Sequence, residues 1–153
     1  MKVYKLERFQ FLPISIDHAW NFFSSPKNLK EITPKYMKFI ITYISGKEKM
    51  YADQLISYIV NILPGLPVRW TTEITHVNEP LYFIEEQRFG PYALWHHQHH
   101  FKAVDSGVEM TDIVNYAIPL GIFGRFANWL FVSKKVRAIF DYRFEVLEKK
   151  FKK

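Results

Sequence analysis

Residues 124–153 read GRFANWLFVSKKVRAIFDYRFEVLEKKFKK, and this stretch decides the fold class. Phe126, Leu130, Ser133, Arg137, Phe140, Phe144, Leu147 and Phe151 recur at steps of three and four, with Lys and Glu filling the other side. That period predicts one helix over 124–153, buried through Phe126, Leu130, Phe140, Phe144 and Leu147. At ~1.5 Å per residue such a helix is about 40 Å long, enough to cross a whole sheet. Pro119 and Gly121 punctuate the joint before it.

Upstream of that joint the period changes. Segments 38–43, 54–63, 68–77, 82–89, 92–104 and 108–118 are rich in β-branched and aromatic residues and read as strands. Ser45-Gly46-Lys47, Pro64-Gly65, Asn78-Glu79-Pro80, Gly90-Pro91 and Asp105-Ser106-Gly107 separate them with turn chemistry. Such short links predict an antiparallel meander. Residues 2–12 alternate loosely and form a first strand, ended by Pro13. After it, Ser15 or Asp17 can cap a short helix carrying Ile16, Ala19, Trp20 and Phe23, stopped by Pro26. A second short helix over 27–32 stops at Thr33-Pro34. One strand, two short helices, a curved antiparallel sheet and one long helix make an α+β layout.

The 153 residues suit one domain over 1–153, with 48% hydrophobic and 24% charged residues. Aromatics stand out at 18%, enough apolar surface to line a cavity as well as fill a core. The absence of cysteine excludes disulfides, thiol catalysis and cysteine metal sites. The first residues mix charge into every turn and lack a signal-like apolar core. The longest uncharged run, 54–68, contains Pro64 and Pro67 and falls short of the ~20 residues a spanning helix needs. A cytoplasmic protein without membrane insertion is the expectation. Five of the six net positive charges lie in 134–153, a solvated helix end rather than a nucleic-acid face, so no nucleic-acid partner is expected.

Several local words then point to a family. Trp20-Asn21-Phe22-Phe23-Ser24-Ser25-Pro26-Lys27-Asn28-Leu29 with Ile32-Thr33-Pro34 resembles the helix pair of bacterial ligand-binding SRPBCC proteins. Arg69-Trp70-Thr71-Thr72-Glu73-Ile74, Gly90-Pro91-Tyr92, Trp95-x-His97-x-His99-x-Phe101 and Phe140-Asp141-Tyr142-Arg143 carry the same resemblance. Together with the element order, the chain resembles the START-like (SRPBCC) superfamily, which includes birch-pollen-allergen proteins and polyketide cyclases. The resemblance implies the helix-grip fold: a curved sheet wrapped around the long helix, with an elongated cavity between them. It also implies an apolar small-molecule ligand, lipid-, polyketide- or aromatic-like. Some members are cyclases, dehydratases or hydroxylase subunits, and fold alone names no ligand.

Candidate chemistry concentrates in His96, His97, His99 and His100. Strand alternation places His97 and His99 on the face of Trp95 and Phe101, and His96 and His100 on the other. With Asp105-Ser106 as a two-residue turn, Val104 pairs Gly107, His99 falls opposite Asp112, and Trp95 opposite Tyr116. A register two residues away puts His97 beside Asp112 instead. Neighbouring strands would add Trp70, Thr72, Phe83, Glu85 and Gln87, and the helix Phe140. The candidate ligand-contacting set is therefore Trp70, Thr72, Phe83, Glu85, Gln87, Trp95, His97, His99, Asp112, Tyr116 and Phe140. An inward Asp–His pair beside a Glu can move protons, so His97 or His99 with Asp112 could serve a cyclase or dehydratase. The same pair can equally satisfy itself as a structural hydrogen bond. His97-x-His99 with Asp112 or Glu85 has metal spacing, but two imidazoles are a weak signal; no metal and no cofactor are expected. Gly121-Ile122-Phe123-Gly124-Arg125 is no phosphate loop, and Ser15, Ser24 and Ser57 lack a nucleophile elbow. A protein-interaction module working through the outer sheet face remains the third reading, on His96 and His100.

Overall fold

The computed structural model describes residues 1–152, and among these seven strands form one antiparallel sheet. They are β1 (Tyr4–Leu12), β2 (Ile40–Ile44), β3 (Gln54–Leu63), β4 (Leu66–Asn78), β5 (Tyr82–Phe89), β6 (Leu94–Val104) and β7 (Gly107–Ala117). Their order is β1-β7-β6-β5-β4-β3-β2. The meander from β2 to β7 is as the turn chemistry predicts, and β1 closes the far edge against β7. Register shifts interrupt β2/β3, β3/β4 and β4/β5. Each adds local twist, which curls the sheet around its helix.

Helix α1 (Ile16–Phe23) is capped by Ser15, whose Oγ accepts the His18 amide at 3.2 Å. The second expected helix is a short 3-10 turn, Pro26–Lys30, and a further 3-10 turn, Lys35–Met37, follows Pro34. Lys38, left-handed at φ 47°, ends the second turn and admits β2.

The C-terminal segment is helical from α2 (Gly121–Ala127) through a π turn (Asn128–Val132) into α3 (Ser133–Phe151). Lys152 is extended, and Lys153, the last residue of the expected helix, lies outside the described residues. Gly124 allows α2 to close on the Ile118–Pro119 link after β7, because a Cβ there would meet the Pro119 carbonyl oxygen at 1.9 Å.

The expected buried stripe is corrected by the π turn. Phe140 and Leu147 are buried, but Phe126, Leu130 and Phe144 are 61%, 50% and 39% exposed. A π turn widens the helix by one residue and rotates everything before it relative to everything after. A single 3.6 period therefore cannot run through 124–151. Asn128 is turned inward in place of Phe126 and Leu130, and the buried line beyond is Val136, Phe140, Arg143, Leu147 and Phe151. Phe144 stands one residue past Arg143, about 100° round the helix.

Three apolar clusters flank α3. Trp20, Phe22, Phe23, Phe83, Phe101, Leu147 and Phe151 fill one end. Leu6, Val114, Tyr116, Val136 and Phe140 pack under the helix, and Met37, Phe39, Val60 and Trp70 form the opposite wall. Gln10 Nε2 donates to the Phe144 carbonyl at 2.9 Å, and Arg8 pairs Asp141 at 2.8 Å, fastening the helix to β1. No helix among the described residues is long and apolar enough to cross a membrane.

Candidate functional site

Between α3 and the sheet, where the second and third clusters face each other, lies a cavity of about 290 Å³. Tyr58, Val60 and Trp70 form its sheet wall, Tyr92 and Trp95 its floor, and Val136, Ile139 and Phe140 its helix wall. Of its lining residues Pro119 and Phe131 are exposed, so the cavity meets the surface beside α2 and the π turn. A smaller space near α1 is lined by Phe83, Glu85, His99 and Arg143. Glu85 and Arg143 border both.

The β6–β7 register is the one a two-residue turn predicts: Val104 opposite Gly107, His99 opposite Asp112, Trp95 opposite Tyr116. His97 nevertheless reaches the same carboxylate. Its Nε2 is 2.9 Å from Asp112 Oδ1 and its Nδ1 is 3.0 Å from Glu85 Oε1. A ring so placed donates to both carboxylates only when doubly protonated. His99 lies against His97 at 3.7 Å between ring centroids and stacks on Phe83 at 4.2 Å. Its Nδ1 is 2.8 Å from Asp112 Oδ1 but off the line a hydrogen bond needs, so that contact is an ion pair. Its Nε2 is 3.6 Å from Glu85.

The cluster is buried and charged, and the two facts oppose each other. Burial alone would raise the Asp112 and Glu85 carboxyl pKa values, but the hydrogen bonds of His97, the close approach of His99 and the charge of both rings hold the two carboxyls well below the usual carboxylate range. Burial alone would lower His99, but Asp112 and then Glu85 raise it above its ordinary value. His100, on the opposite face, is lowered by burial and by the charge of His99. Burial pushes the Tyr58 and Tyr92 phenols up, so both stay protonated donors.

Arg143 completes the cluster. Its guanidinium lies over the Phe140 ring at 4.9 Å and approaches Asp112 only to 3.9 Å. Its Nε and Nη1 are buried without a hydrogen-bond partner. Unpaired buried guanidinium donors are costly, and the Arg143 side chain that carries them lines the cavity.

Trp70, Glu85, Trp95, His97 and Phe140 line the large cavity; Phe83 and His99 line the smaller space. Four of the residues proposed from sequence stand behind the walls. Asp112 holds the two imidazoles from below. Thr72 accepts from the Trp70 indole at 3.1 Å, Gln87 donates to the Tyr92 carbonyl at 2.7 Å, and the Tyr116 hydroxyl donates to Asn128 at 3.1 Å. Arg143 was missed, although it falls three residues after Phe140 and so on the same helix face. Donor atoms of Glu85, His97 and His99 lie within 4.8 Å of one another, so these three could gather round a cation. An ion there would take His97 Nδ1 and His99 Nε2, the nitrogens that face Glu85, while Asp112 stays on the other nitrogen of each ring.

No protein-family model matches the chain, and no curated protein matches its sequence. Solved structures do share its fold. TTHA0849 of Thermus thermophilus is 18% identical with a TM-score of 0.67, covering 98% of this chain and 97% of that one. Major latex-like protein 151 of Panax ginseng is 10% identical, TM-score 0.68, over 97% of each chain. The di-domain ARO/CYC StfQ from the steffimycin biosynthetic pathway is 12% identical, TM-score 0.66, over 97% of this chain and 52% of that one. At these identities the likeness establishes the helix-grip fold.

Proposed function

We propose that this single domain binds a small, largely apolar molecule, lipid-, polyketide- or aromatic-like, in the cavity between sheet and α3. One observation carries the reading: an apolar, aromatic-walled cavity is lined by Arg143, whose buried Nε and Nη1 have no hydrogen-bond partner. The charge of the cluster refines it. Ionised Asp112 and Glu85 are offset by Arg143 and by His99, whose proton affinity is raised. A neutral acceptor on the ligand, a carbonyl or hydroxyl, would meet Arg143 without adding a third anion beside Asp112 and Glu85. The structural resemblance to an ARO/CYC protein supports an aromatic or polyketide-like skeleton.

The cyclase or dehydratase alternative requires an imidazole that exchanges a proton with substrate. His97, which lines the cavity, already faces a carboxylate oxygen at each nitrogen. That favours binding over acid–base catalysis. The open cavity likewise favours a small-molecule binder over a module that acts only through its outer surface. Native mass spectrometry followed by denaturing extraction tests the reading. The expected result is a retained apolar compound bearing a carbonyl or hydroxyl, lost in Arg143→Met. Retention of a polar or polyanionic compound would overturn it.

A further inference from the structure

Large apolar side chains crowd the outside of the protein at one place. Leu120, Ile122, Phe123, Phe126, Trp129 and Leu130 are all at least half exposed within eleven residues, Trp129 at 72%. Scattered exposed apolar residues are ordinary; a contiguous run of this size marks a contact surface. The local structure holds it outward. Leu120 and Gly121 adopt left-handed backbone at φ 68° and 56°, Gly124 seats α2 on Pro119, and the π turn directs Asn128 to Tyr116. What remains faces water.

The position and charge of the run identify its partner. Phe131, next in sequence and 40% exposed, lines the cavity mouth, so the apolar run and the cavity lining are continuous. Tyr36 is also exposed, and the ammonium of Lys135, which lines the cavity, lies 6.0 Å from its ring. No acidic residue occurs between Asp112 and Asp141, whereas Arg125, Lys134, Lys135 and Arg137 do. Arg125, Lys134 and Arg137 are exposed. An aromatic and aliphatic face flanked by basic residues suits the headgroup boundary of an anionic bilayer. A second copy fits poorly, because a two-fold interface would set the same basic residues against each other.

We propose that the α2–π-turn face, residues 120–131, docks peripherally on anionic lipid bilayers and presents the cavity mouth to the membrane. Nothing spans the bilayer; the face sinks only to headgroup depth. An apolar ligand can then pass between membrane and cavity without crossing water.

The test is co-sedimentation with phosphatidylglycerol-containing vesicles and with pure phosphatidylcholine vesicles, read together with tryptophan emission. Trp20 and Trp70 are buried and Trp95 is half-buried, so a blue shift on docking reports Trp129. The wild type should bind the anionic vesicles, shift its emission to the blue, and release as salt rises. Phe123→Ser with Phe126→Ser should weaken binding about tenfold or more, and Arg125→Glu with Lys134→Glu likewise. All four positions are exposed, so thermal melts should stay near wild type. Arg143→Met alters the cavity's polar end and should leave vesicle binding unchanged, which separates this inference from the ligand reading. Failure of the wild type to bind at low salt would overturn it, as would equal binding by the Phe123→Ser/Phe126→Ser variant. A dimer in solution that those serines dissociate would overturn it in favour of a second copy.

Discussion

Asp112→Asn removes one buried charge and almost no volume, so it isolates the electrostatics of the cluster. In the wild type this carboxylate meets His97 at 2.9 Å and His99 at 2.8 Å, with Arg143 at 3.9 Å. Removing one member of a buried charge group leaves the others uncompensated, at a cost of about 3–5 kcal/mol. For a domain of this size each kcal/mol moves the melting temperature by ~2–4 °C, so the expected drop is roughly 6–20 °C. The pH dependence follows from the signs. The Asp112 and Glu85 carboxyls are held below their ordinary 3.8 and 4.5, so their contribution is present above those values and is lost as pH falls further. His99 is raised above 6.5, so its contribution is present below 6.5 and is lost as pH rises through the raised value. The cluster therefore stabilises most between about pH 4.5 and 6.5. The loss in Asp112→Asn should be largest there and shrink as pH rises and His99 deprotonates. Melts across that range, with NMR titration of the histidines, measure it. In the variant His99 should titrate at lower pH. A melting temperature within ~1 °C of wild type at pH 6, with His99 titrating unchanged, would refute the pairing.

Phe140→Ala should cost about 3–5 kcal/mol in a denaturant melt, because that ring is buried on α3, whereas half-exposed Phe144→Ala should cost clearly less. Equal losses would place the buried face wrongly. His96→Ala and His100→Ala, on the outer face of β6, should leave ligand affinity unchanged in a titration with the extracted ligand. Arg143→Met should keep the fold, since a long apolar chain can still lie on Phe140, but should weaken carbonyl-bearing ligands more than their hydrocarbon analogues. Equal weakening of both would show that Arg143 shapes the wall rather than meets a polar group.

Most of the sheet was legible because period-2 alternation and turn chemistry are local properties. Asp105-Ser106 sets the β6–β7 register, and the register alone brings His99 opposite Asp112. The reach of His97 to that same oxygen was not legible as part of the same register. It depends on side-chain rotamers that let two stacked imidazoles share one carboxylate. The π turn was hidden for a related reason: nothing in Asn128-Trp129-Leu130-Phe131-Val132 departs from an α-helical sequence. It begins at Asn128, which is buried and accepts from the Tyr116 hydroxyl of β7, a contact that no local pattern encodes. Without it, Phe126 and Leu130 read as core. Arg143 was lost among the basic residues of 134–153, although a cation on the Phe140–Leu147 face answers the two carboxylates beneath it.

The most direct measurement is a titration with N-phenyl-1-naphthylamine, a neutral apolar fluorophore, in the Phe123→Ser/Phe126→Ser background that removes the exposed apolar face. The account predicts a saturable rise in emission with one site per chain. Ile139→Trp, which projects bulk into the cavity from α3, should reduce that affinity about tenfold or more without lowering the melting temperature. Unchanged affinity in Ile139→Trp, or no saturable binding before it is introduced, would contradict a ligand cavity between sheet and helix.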